Sequence, residues 1–520
     1  MSVRVRFAPS PTGLLHVGAL RTVLFDYLFA RGRGGVNILR IEDTDRTRYN
    51  PDSEAEFVET LRWVGIDFDE GPHIGGPHAP YRQSERKEAG IYAREIQKLL
   101  DNGSAYKAFD TSEELDEMRE LQQINKMATG YFGGKWRDAT PAEVADAEGE
   151  GKAYVIRLKI PRDKTIVLHD LIRGRVEWDS NVIDDPVLIK ADGMPTYHFA
   201  AMVDDHLMGI THILRGEEWI PSAPKHIALF EAFGWTPPIF VHCPVIVGKD
   251  GKKLSKRHGA TRVLDYAAQG FMPQSLKNFI ALIGWSPGED REVLTEEELI
   301  SLFDLDRLQP SPGRFDLEKL QWLSGHAIRA LPTEELLDKV IDFVAFDYAR
   351  EFHQAEVSEE EGGSAEMEKR MARWASLELL AARAKMDRSF ALQCVTLEQE
   401  RVTTLADFGE ACEFFLVDQP RMDPKAVEKW FGQPHVPKLF DAIVAHCESG
   451  QDCSVAGFEQ LLRTFQTENE IDKLGPIVHP TRVALTGKTF GPGLFELMNV
   501  LGPARIVARI HSAKSLIGLN

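Results

Sequence analysis

The first 41 residues constrain the fold most, because extended and helical patterns alternate there around a loop rich in proline and glycine. Apolar and charged residues alternate over 3–7, as in a strand. Over 16–30, apolar residues recur at helical spacing, and 36–41 form a second apolar run. Strand, loop, helix and strand make a βαβ unit. Such a unit predicts an α/β domain with a parallel sheet that binds ligands at the carboxyl ends of its strands.

Length and changes of pattern predict several domains. At roughly 150 residues per domain, 520 residues predict about three or four. Charged helical stretches give way to strand-like ones (153–160 and 164–178) in a segment expected to be inserted into the α/β core. The βαβ pattern returns over 195–260, with strand-like runs over 210–214 and 241–247, and the chain then becomes helical and rich in charge towards its end. The predicted segments are 1–100, 101–195, 196–260, 261–330 and 331–520.

Composition narrows the class of protein. With 43% hydrophobic and 27% charged residues, the chain is typical of a globular protein and not of a disordered chain or a fibre. A net charge of −19 argues against a wholly basic nucleic-acid coat protein, but local basic patches remain compatible with nucleic-acid binding. The first residues carry no targeting signal, and prolines interrupt the most apolar stretch, 232–248. We therefore expect a cytoplasmic protein without a membrane span.

The loop after the first strand reads Pro9-Ser10-Pro11-Thr12-Gly13-Leu14-Leu15-His16-Val17-Gly18. It places His16 at a helix start, where amide N–H groups and the helix dipole favour an anion. An imidazole there can donate a hydrogen bond to a phosphate oxygen. Gly18 lets a bulky group lie against the helix start. Taken alone, the pattern fits a capping loop with an incidental histidine equally well.

A second loop, Gly248-Lys249-Asp250-Gly251-Lys252-Lys253-Leu254-Ser255-Lys256-Arg257-His258-Gly259, holds five Lys or Arg side chains against one aspartate. Such a flexible cationic loop suits a polyphosphate, the alternative being a solvated turn. A third stretch, Gly487-Lys488-Thr489, is similar to the end of a P-loop. It has Arg482 where the opening glycine would stand, which favours a loop between helices.

Together the first two loops resemble the HIGH and KMSKS signatures of class I aminoacyl-tRNA synthetases. Ala19, Leu254 and Arg257 depart from these signatures in ways that the family uses. Further stretches resemble bacterial-type glutamyl-tRNA synthetases, densely up to about residue 330 and more loosely beyond. These stretches are Arg40-Ile-Glu-Asp-Thr-Asp-Arg46, Tyr81-Arg-Gln-Ser-Glu-Arg86, Pro195-Thr-Tyr-His198, Val203-Asp-Asp-His206 and Leu214-Arg-Gly-Glu-Glu-Trp219.

The resemblance implies a Rossmann-like catalytic core in two halves, 1–100 and 196–260. An acceptor-end insertion (101–195), a stem-contact segment (261–330) and an all-α anticodon-binding domain (331–520) complete the expected chain. The implied enzyme is a monomeric ligase that activates L-glutamate with ATP and transfers it to the 3′-terminal adenosine of tRNA-Glu. Mg²⁺ would accompany ATP. No zinc is expected, because 101–140 lack cysteine.

The predicted site residues fall into four groups. Negative charge grows on phosphate oxygens during activation, and His16 and Lys256, with Lys253 nearby, would stabilise it. The expected catalytic residues are His16, Gly18, Lys253 and Lys256. The expected ATP-binding residues are Pro9, Ser10, Thr12, Gly13, His16, Gly18, Glu218, Leu254, Ser255, Lys256 and Arg257. The expected glutamate-binding residues are Arg6, Ala8, Ser10, Glu42, Tyr197 and Arg215. The resemblance adds Asp45, Arg48 and Arg401 as tRNA contacts.

Glutamate needs cations for its two carboxylates and an anion for its ammonium group. Arg6 and Arg215 can fork to carboxylates, and the resemblance implies that Arg215 reads the side-chain carboxylate. Which arginine meets which carboxylate stays open from the sequence. Glu42 can accept the ammonium group; its alternative is a surface ion pair with Arg40 or Arg46.

Three other functions also fit the sequence. A class I nucleotidyl transferase would share the chemistry of the two loops but would not need the helical region. A non-catalytic paralogue that binds tRNA or ATP would have no use for an intact set of site residues. A non-discriminating enzyme would charge tRNA-Gln as well. For Arg401, a solvated helix residue is as compatible with the sequence as an anticodon contact.

Overall fold

The computed structural model describes residues 2–45, 50–254, 262–355 and 363–516. Four predicted site residues, Arg48, Ser255, Lys256 and Arg257, therefore lie outside the described residues. The chain forms two compact units. The first comprises Met1–Val263 and Lys277–Asp316, and the second comprises Leu264–Leu276 and Leu317–Asn520.

Every strand that the described residues form lies in the first unit. They are β1 (Arg4–Phe7), β2 (Val36–Leu39), β3 (Ala105–Ala108), β4 (Val155–Leu158), β5 (Thr165–Asp170), β6 (Gly174–Asp179), β7 (Val187–Ile189), β8 (His212–Gly216), β9 (Ile239–Cys243), β10 (Ile246–Val247) and β11 (Gly313–Arg314).

The predicted βαβ unit is confirmed, since β1 and β2 pair in parallel. A sheet in the order β6-β5-β9-β8 follows, parallel except for the β5–β6 hairpin. It lies next to β1, because Thr211, just before β8, accepts a 2.9 Å bond from the Arg4 N–H through its hydroxyl and donates its own N–H to the Arg4 carbonyl. The result is the expected parallel core, in which β1 and β8 end side by side.

Two predicted strands are broken in the structure. The stretch 164–178 is a hairpin and not one strand, because the chain reverses before Gly174, whose φ of 70° suits glycine. The apolar run 241–247 divides into β9 and β10 at Pro244, which has no N–H to donate to a ladder.

The segment 101–195 contributes to two sheets. Strands β3, β4 and β7 form an antiparallel sheet of their own. The β5–β6 hairpin extends the sheet of β8 and β9 instead. Part of the predicted insertion thus continues the sheet of the parallel core, and this arrangement brings Asp170, at the end of β5, beside β9.

The helices of the first unit are α1 (Val17–Gly32), α2 (Pro51–Val64), α3 (Gln83–Glu88), α4 (Ile91–Asp101), α5 (Ser112–Ile124), α6 (Pro141–Gly149), α7 (Tyr197–Leu207), α8 (Ala223–Phe233) and α11 (Glu296–Leu302). Two helices cross the boundary between the units in sequence, α9 (Val263–Ala268) and α10 (Pro273–Ala281). The helix predicted over 16–30 is confirmed as α1. Its apolar residues are buried, so that they fix its first turn beside the end of β1.

The described part of the second unit is helical, as predicted. Its further helices are α12 (Leu317–Ala330), α13 (Thr333–Ala345), α14 (Asp347–Gln354), α15 (Gly363–Met386), α16 (Arg388–Glu398), α17 (Asp407–Leu416), α18 (Pro424–Phe431), α19 (Val436–Glu448), α20 (Val455–Glu468), α21 (Gly475–Thr486) and α22 (Leu494–Leu516). One continuous apolar core joins them. No helix of the described residues is long and apolar enough to cross a bilayer.

A buried arginine ties three of these helices together. Arg509, on α22, donates to the carbonyls of Phe414 and Val417 at 2.6 Å and of Asp418 at 3.1 Å, at the end of α17. It also donates to Leu485, at the end of α21. The last carbonyls of a helix have no partner within it, so one guanidinium satisfies groups that would otherwise be buried unpaired.

Arg509→Met should therefore destabilise the helical unit by roughly 3 to 5 kcal/mol, because several buried carbonyls lose their donor. Urea unfolding followed by circular dichroism measures the effect. Arg463→Met, at an exposed position on α20, is the matched control and should change stability by less than about 0.5 kcal/mol. Equal midpoints for the two variants would contradict the assigned role of Arg509.

Candidate active site

A cavity of about 910 Å³ opens at the carboxyl ends of β1, β8 and β9 and at the first turn of α1. This is where an open parallel sheet is expected to bind ligands. The predicted site residues that line it are Arg6, Ala8, Ser10, Thr12, His16, Gly18, Glu42, Asp45, Tyr197, Arg215, Glu218, Lys253 and Leu254. The structure thus gathers most of the predicted set in one place.

Three other predicted residues do not line this cavity. Pro9 and Gly13 belong to the first loop; the Pro9 carbonyl accepts a 3.0 Å bond from the Glu42 N–H and so holds the loop against the end of β2. Arg401 belongs to the helical unit, where it is exposed and donates to the Leu397 carbonyl.

Sequence reasoning missed several lining residues. Thr44 and Trp219 lie within stretches that carry the resemblance, so that position in a motif could have found them. Arg21, on α1, and Lys190, just after β7, gave no such signal. Arg21 is one of the buried residues of α1. Lys190 lines the cavity because the chain passes it directly after β7.

His16 is the N-cap of α1, and its Nδ1 accepts a 3.1 Å bond from the Ala19 N–H. Desolvation in the cavity, reinforced by the positive charge of Lys253 and opposed by Glu218, lowers the pKa of His16. The neutral ring then carries its proton on Nε2, which is left to donate to a ligand. A Cβ at Gly18 would meet the His16 ring at 3.2 Å, so the bulky group for which Gly18 leaves space is His16 itself.

Lys253 is placed by a tight reversal after β10. The Gly248 N–H donates to the Lys252 carbonyl at 2.9 Å, and the Leu254 N–H donates to the Ile246 carbonyl at 3.0 Å. Gly251, with φ of 75°, supplies the conformation that this turn requires. The backbone therefore fixes the cation of Lys253 on the wall near His16.

Arg215, at the end of β8, is buried without a carboxylate partner among the described residues. Its Nε donates to His242 Nε2 at 2.9 Å, and its Nη1 is bonded to His226 Nδ1 at 3.1 Å. Among the described residues, Nη2 makes no hydrogen bond of normal geometry, although the neutral Tyr197 hydroxyl lies close enough to interact with the guanidinium. Burial lowers the pKa of Arg215, but a guanidinium stays charged in a protein. The site thus presents a positive charge that the described chain does not neutralise.

Glu42 is ion-paired with Arg40, one of the two partners proposed for its alternative role, but this pair is buried. The Glu42 Oε1 to Arg40 Nη2 distance is 2.8 Å, and both side chains are at most 4% exposed. Burial raises the pKa of Glu42, and the Arg40 guanidinium opposes this effect. Glu42 therefore offers a carboxylate to the cavity and is not a surface residue.

Aromatic rings close the cavity near Arg215. Tyr197 and Trp219 pack with ring centroids 4.5 Å apart. Burial, with the nearby charge of Glu42, raises the pKa of Tyr197 to about 12, so that its hydroxyl remains protonated and can donate. The two rings form an apolar wall of the pocket, with the Tyr197 hydroxyl as its polar edge.

The acidic and histidine residues after Val203 have structural roles. Asp204 accepts bonds from Arg86, Gln83 and Tyr92. His206 stacks on Trp235 with centroids 3.7 Å apart. Among the residues with described placement, no three His, Cys, Asp or Glu side chains cluster as metal ligands would.

Four aromatic residues of the helical unit could stack on nucleic-acid bases only if they were exposed. They are Trp374, Phe408, Phe414 and Phe415, each at most 5% exposed. Their burial makes them core residues.

Known proteins match this chain along its whole length. Residues 2–322 match the family model of class I tRNA synthetases (E and Q), catalytic domain, and residues 366–514 match that of an anticodon binding domain. The chain is 40% identical over 517 residues to the glutamate–tRNA ligase of Elusimicrobium minutum, with 99% of each chain covered. It is 41% identical over 528 residues to that of Roseiflexus castenholzii, covering 99% of this chain and 96% of the relative.

Solved structures give the same result. A crystal structure of a glutamate tRNA ligase from Elizabethkingia meningosepticum, in complex with its amino acid, matches with a TM-score of 0.85 and 35% identity over 100% of both chains. Glutamate-tRNA synthetase from Elizabethkingia anophelis matches with a TM-score of 0.83 and 36% identity over 99% of this chain and 100% of that one. These matches show that the chain belongs to the glutamyl-tRNA synthetases, within the class I tRNA synthetases.

Proposed function

We propose that this protein is a glutamate–tRNA ligase that activates L-glutamate with ATP and transfers it to the 3′-terminal adenosine of tRNA-Glu. The observation that carries the proposal is the buried, uncompensated guanidinium of Arg215 in a cavity that Glu42 and His16 also line. Such a site suits a small anion that also carries an ammonium group, next to a place for phosphates.

At the amino-acid end, the Nη2 of Arg215 would hold the side-chain carboxylate and Glu42 the ammonium group. Arg6 is paired with Asp205 through its Nε at 3.0 Å, and Leu214 accepts from its Nη1 at 3.4 Å. It lines the cavity as well and would add positive charge near the α-carboxylate. Ser10, Tyr197 and the backbone at Ala8 would supply the remaining polar contacts.

At the nucleotide end, the α-carboxylate attacks the α-phosphorus of ATP, and pyrophosphate leaves. The Nε2–H of His16 and the ammonium of Lys253 would stabilise the charge that develops on the phosphate oxygens. Gly18, Thr12, Glu218 and Leu254 would shape the nucleotide pocket, with Pro9 and Gly13 supporting the loop. The predicted roles of Ser255, Lys256 and Arg257 complete the proposal from the sequence. Mg²⁺ would enter with ATP, held largely by its phosphates.

In the second step, the ribose hydroxyl of the terminal adenosine attacks the glutamyl carbonyl, and AMP leaves. Asp45 lines the cavity. With Arg48, it would guide the tRNA end into the site. We assign tRNA acceptor contacts to residues 101–195, stem contacts to 261–330 and anticodon contacts to 331–520, Arg401 included. The protein would act as a cytoplasmic monomer, and nothing in the site favours a second function.

The decisive experiment is glutamylation of purified tRNA-Glu and tRNA-Gln transcripts with ATP, Mg²⁺ and labelled glutamate. We expect tRNA-Glu to be charged, because the site offers both a carboxylate reader and a nucleotide pocket. Charging of tRNA-Gln as well would identify a non-discriminating enzyme whose product needs an amidotransferase. Failure to charge either transcript would refute the proposed function.

Arg215→Gln should lower kcat/KM for glutamate by well over about tenfold, because the substrate carboxylate would be buried without a cation. Steady-state aminoacylation of tRNA-Glu at varied glutamate measures this. Arg463→Gln, on the exposed face of α20, serves as the matched control and should behave as wild type. Wild-type kinetics in Arg215→Gln would remove Arg215 from the site.

His16→Asn separates capping from catalysis. Asparagine keeps an acceptor for the Ala19 N–H and is a good N-cap, so the thermal midpoint should not change by more than about 2 °C. It lacks the Nε2–H donor, so kcat/KM for ATP should fall by about 10²- to 10³-fold. An unchanged kcat/KM for ATP would show that His16 only caps α1.

A further inference from the structure

We propose that His226 and His242 are positioning residues. As neutral hydrogen-bond acceptors, they fix the guanidinium of Arg215 without neutralising it, and they thereby determine the affinity for glutamate and the discrimination against glutamine. The inference rests on the proposed function, because it concerns the side chain assigned to the substrate carboxylate.

The argument begins with the direction of the hydrogen bonds. A guanidinium only donates, so the two ring atoms that face it must both accept. These atoms are His242 Nε2, at 2.9 Å from Arg215 Nε, and His226 Nδ1, at 3.1 Å from Nη1. Neither ring nitrogen can carry a proton while these bonds exist, so each ring must hold its single proton on the other nitrogen.

A second shell of contacts imposes those tautomers. His242 Nδ1 lies 2.7 Å from Asp170 Oδ2, a carboxylate that also accepts backbone N–H bonds from His242, Ile172 and Arg173. Asp170 therefore requires a proton on Nδ1 of His242. His226 Nε2 lies 2.9 Å from His198 Nδ1, so the proton of His226 is shared with a second neutral ring. The order Asp170–His242–Arg215–His226–His198 is thus a continuous hydrogen-bonded chain.

The surroundings of Arg215 keep its charge available. Both histidines are fully buried, and the Phe240 ring lies 5.0 Å from the guanidinium carbon. With Nε and Nη1 occupied, Nη2 is the donor group that remains; it makes no hydrogen bond of normal geometry among the described residues, and the nearby Tyr197 hydroxyl is neutral as well. A carboxylate in place of either imidazole would also orient the arginine but would cancel the charge that distinguishes glutamate from glutamine. Neutral acceptors provide orientation alone.

The test uses near-isosteric substitutions at His226. His226→Leu removes the acceptor, whereas the carbonyl oxygen of His226→Asn falls near the position of Nδ1 and retains it. We expect His226→Leu to raise KM for glutamate by about tenfold or more, to leave KM for ATP within about twofold, and to lower the preference for glutamate over glutamine. His226→Asn should stay within about threefold of wild type in all three quantities.

The measurements are aminoacylation of tRNA-Glu at varied glutamate and at varied ATP, competition by glutamine, and the thermal midpoint of each variant. If His226→Leu does not fold, His242→Leu and His242→Gln form a second pair, because the glutamine carbonyl can reach the position of Nε2. A purely structural role would change stability but would not separate the two KM values or be rescued by an acceptor.

Two results would overturn the inference: a wild-type KM for glutamate in the leucine variants, or equal defects in the acceptor and leucine variants at equal stability. Arg215→Gln, assayed in parallel, separates this failure from failure of the proposed function. If Arg215→Gln is impaired and the leucine variants are not, only the positioning role is wrong. If Arg215→Gln itself binds glutamate normally, the carboxylate assignment is wrong and the positioning role is overturned with it.

Discussion

The active site depends on one buried carboxylate, that of Asp205 on α7. Asp205 Oδ1 accepts bonds from Arg40 Nη1 at 2.7 Å and from Arg6 Nε at 3.0 Å, and Arg40 in turn holds Glu42. Although burial opposes it, the charge of the two arginines holds the pKa of Asp205 below its usual range. Loss of this anion would leave two buried cations unpaired, which costs about 3 to 5 kcal/mol in comparable cases. The ends of β1 and β2 thus have a fixed place relative to α7.

This network also divides the cavity by charge. Glu42 keeps its carboxylate near Arg40 on one wall, while Arg215, His16 and Lys253 present donors and positive charge on the others. In such a field, a molecule with an ammonium group and two carboxylates would have one favoured orientation, and the start of α1 would offer a separate place for a polyphosphate. The chain as a whole is strongly acidic, so that the positive character of the site is local and follows from residues that the strand ends bring together.

The sequence predicted those features of the structure that depend on local residue patterns. Helical spacing located α1, the alternation over 3–7 located β1, and motif positions located most of the cavity wall, including Arg215 and Glu42. Spacing could not show that 164–178 reverse in a hairpin, because both arms alternate alike. Nor could it reveal His242 or Asp170, which meet Arg215 only because β5, β9 and β8 are neighbours in the sheet. Such contacts depend on strand order, which periodicity does not encode.

The two arginines of the site illustrate how burial can serve stability or function. Arg6 has a carboxylate partner, and although burial acts against it, Asp205 raises the pKa of Arg6. Asp205 thus neutralises the charge of Arg6 within the protein, and this ion pair stabilises the fold. Burial lowers the pKa of Arg215. Its hydrogen bonds to two neutral imidazoles replace only part of the solvation free energy that the guanidinium loses on burial. A carboxylate ligand would restore the rest, so the free energy that Arg215 costs in the empty site becomes affinity for an anionic substrate. This physical difference supports the proposal that Arg215, and not Arg6, would read the carboxylate that distinguishes glutamate from glutamine.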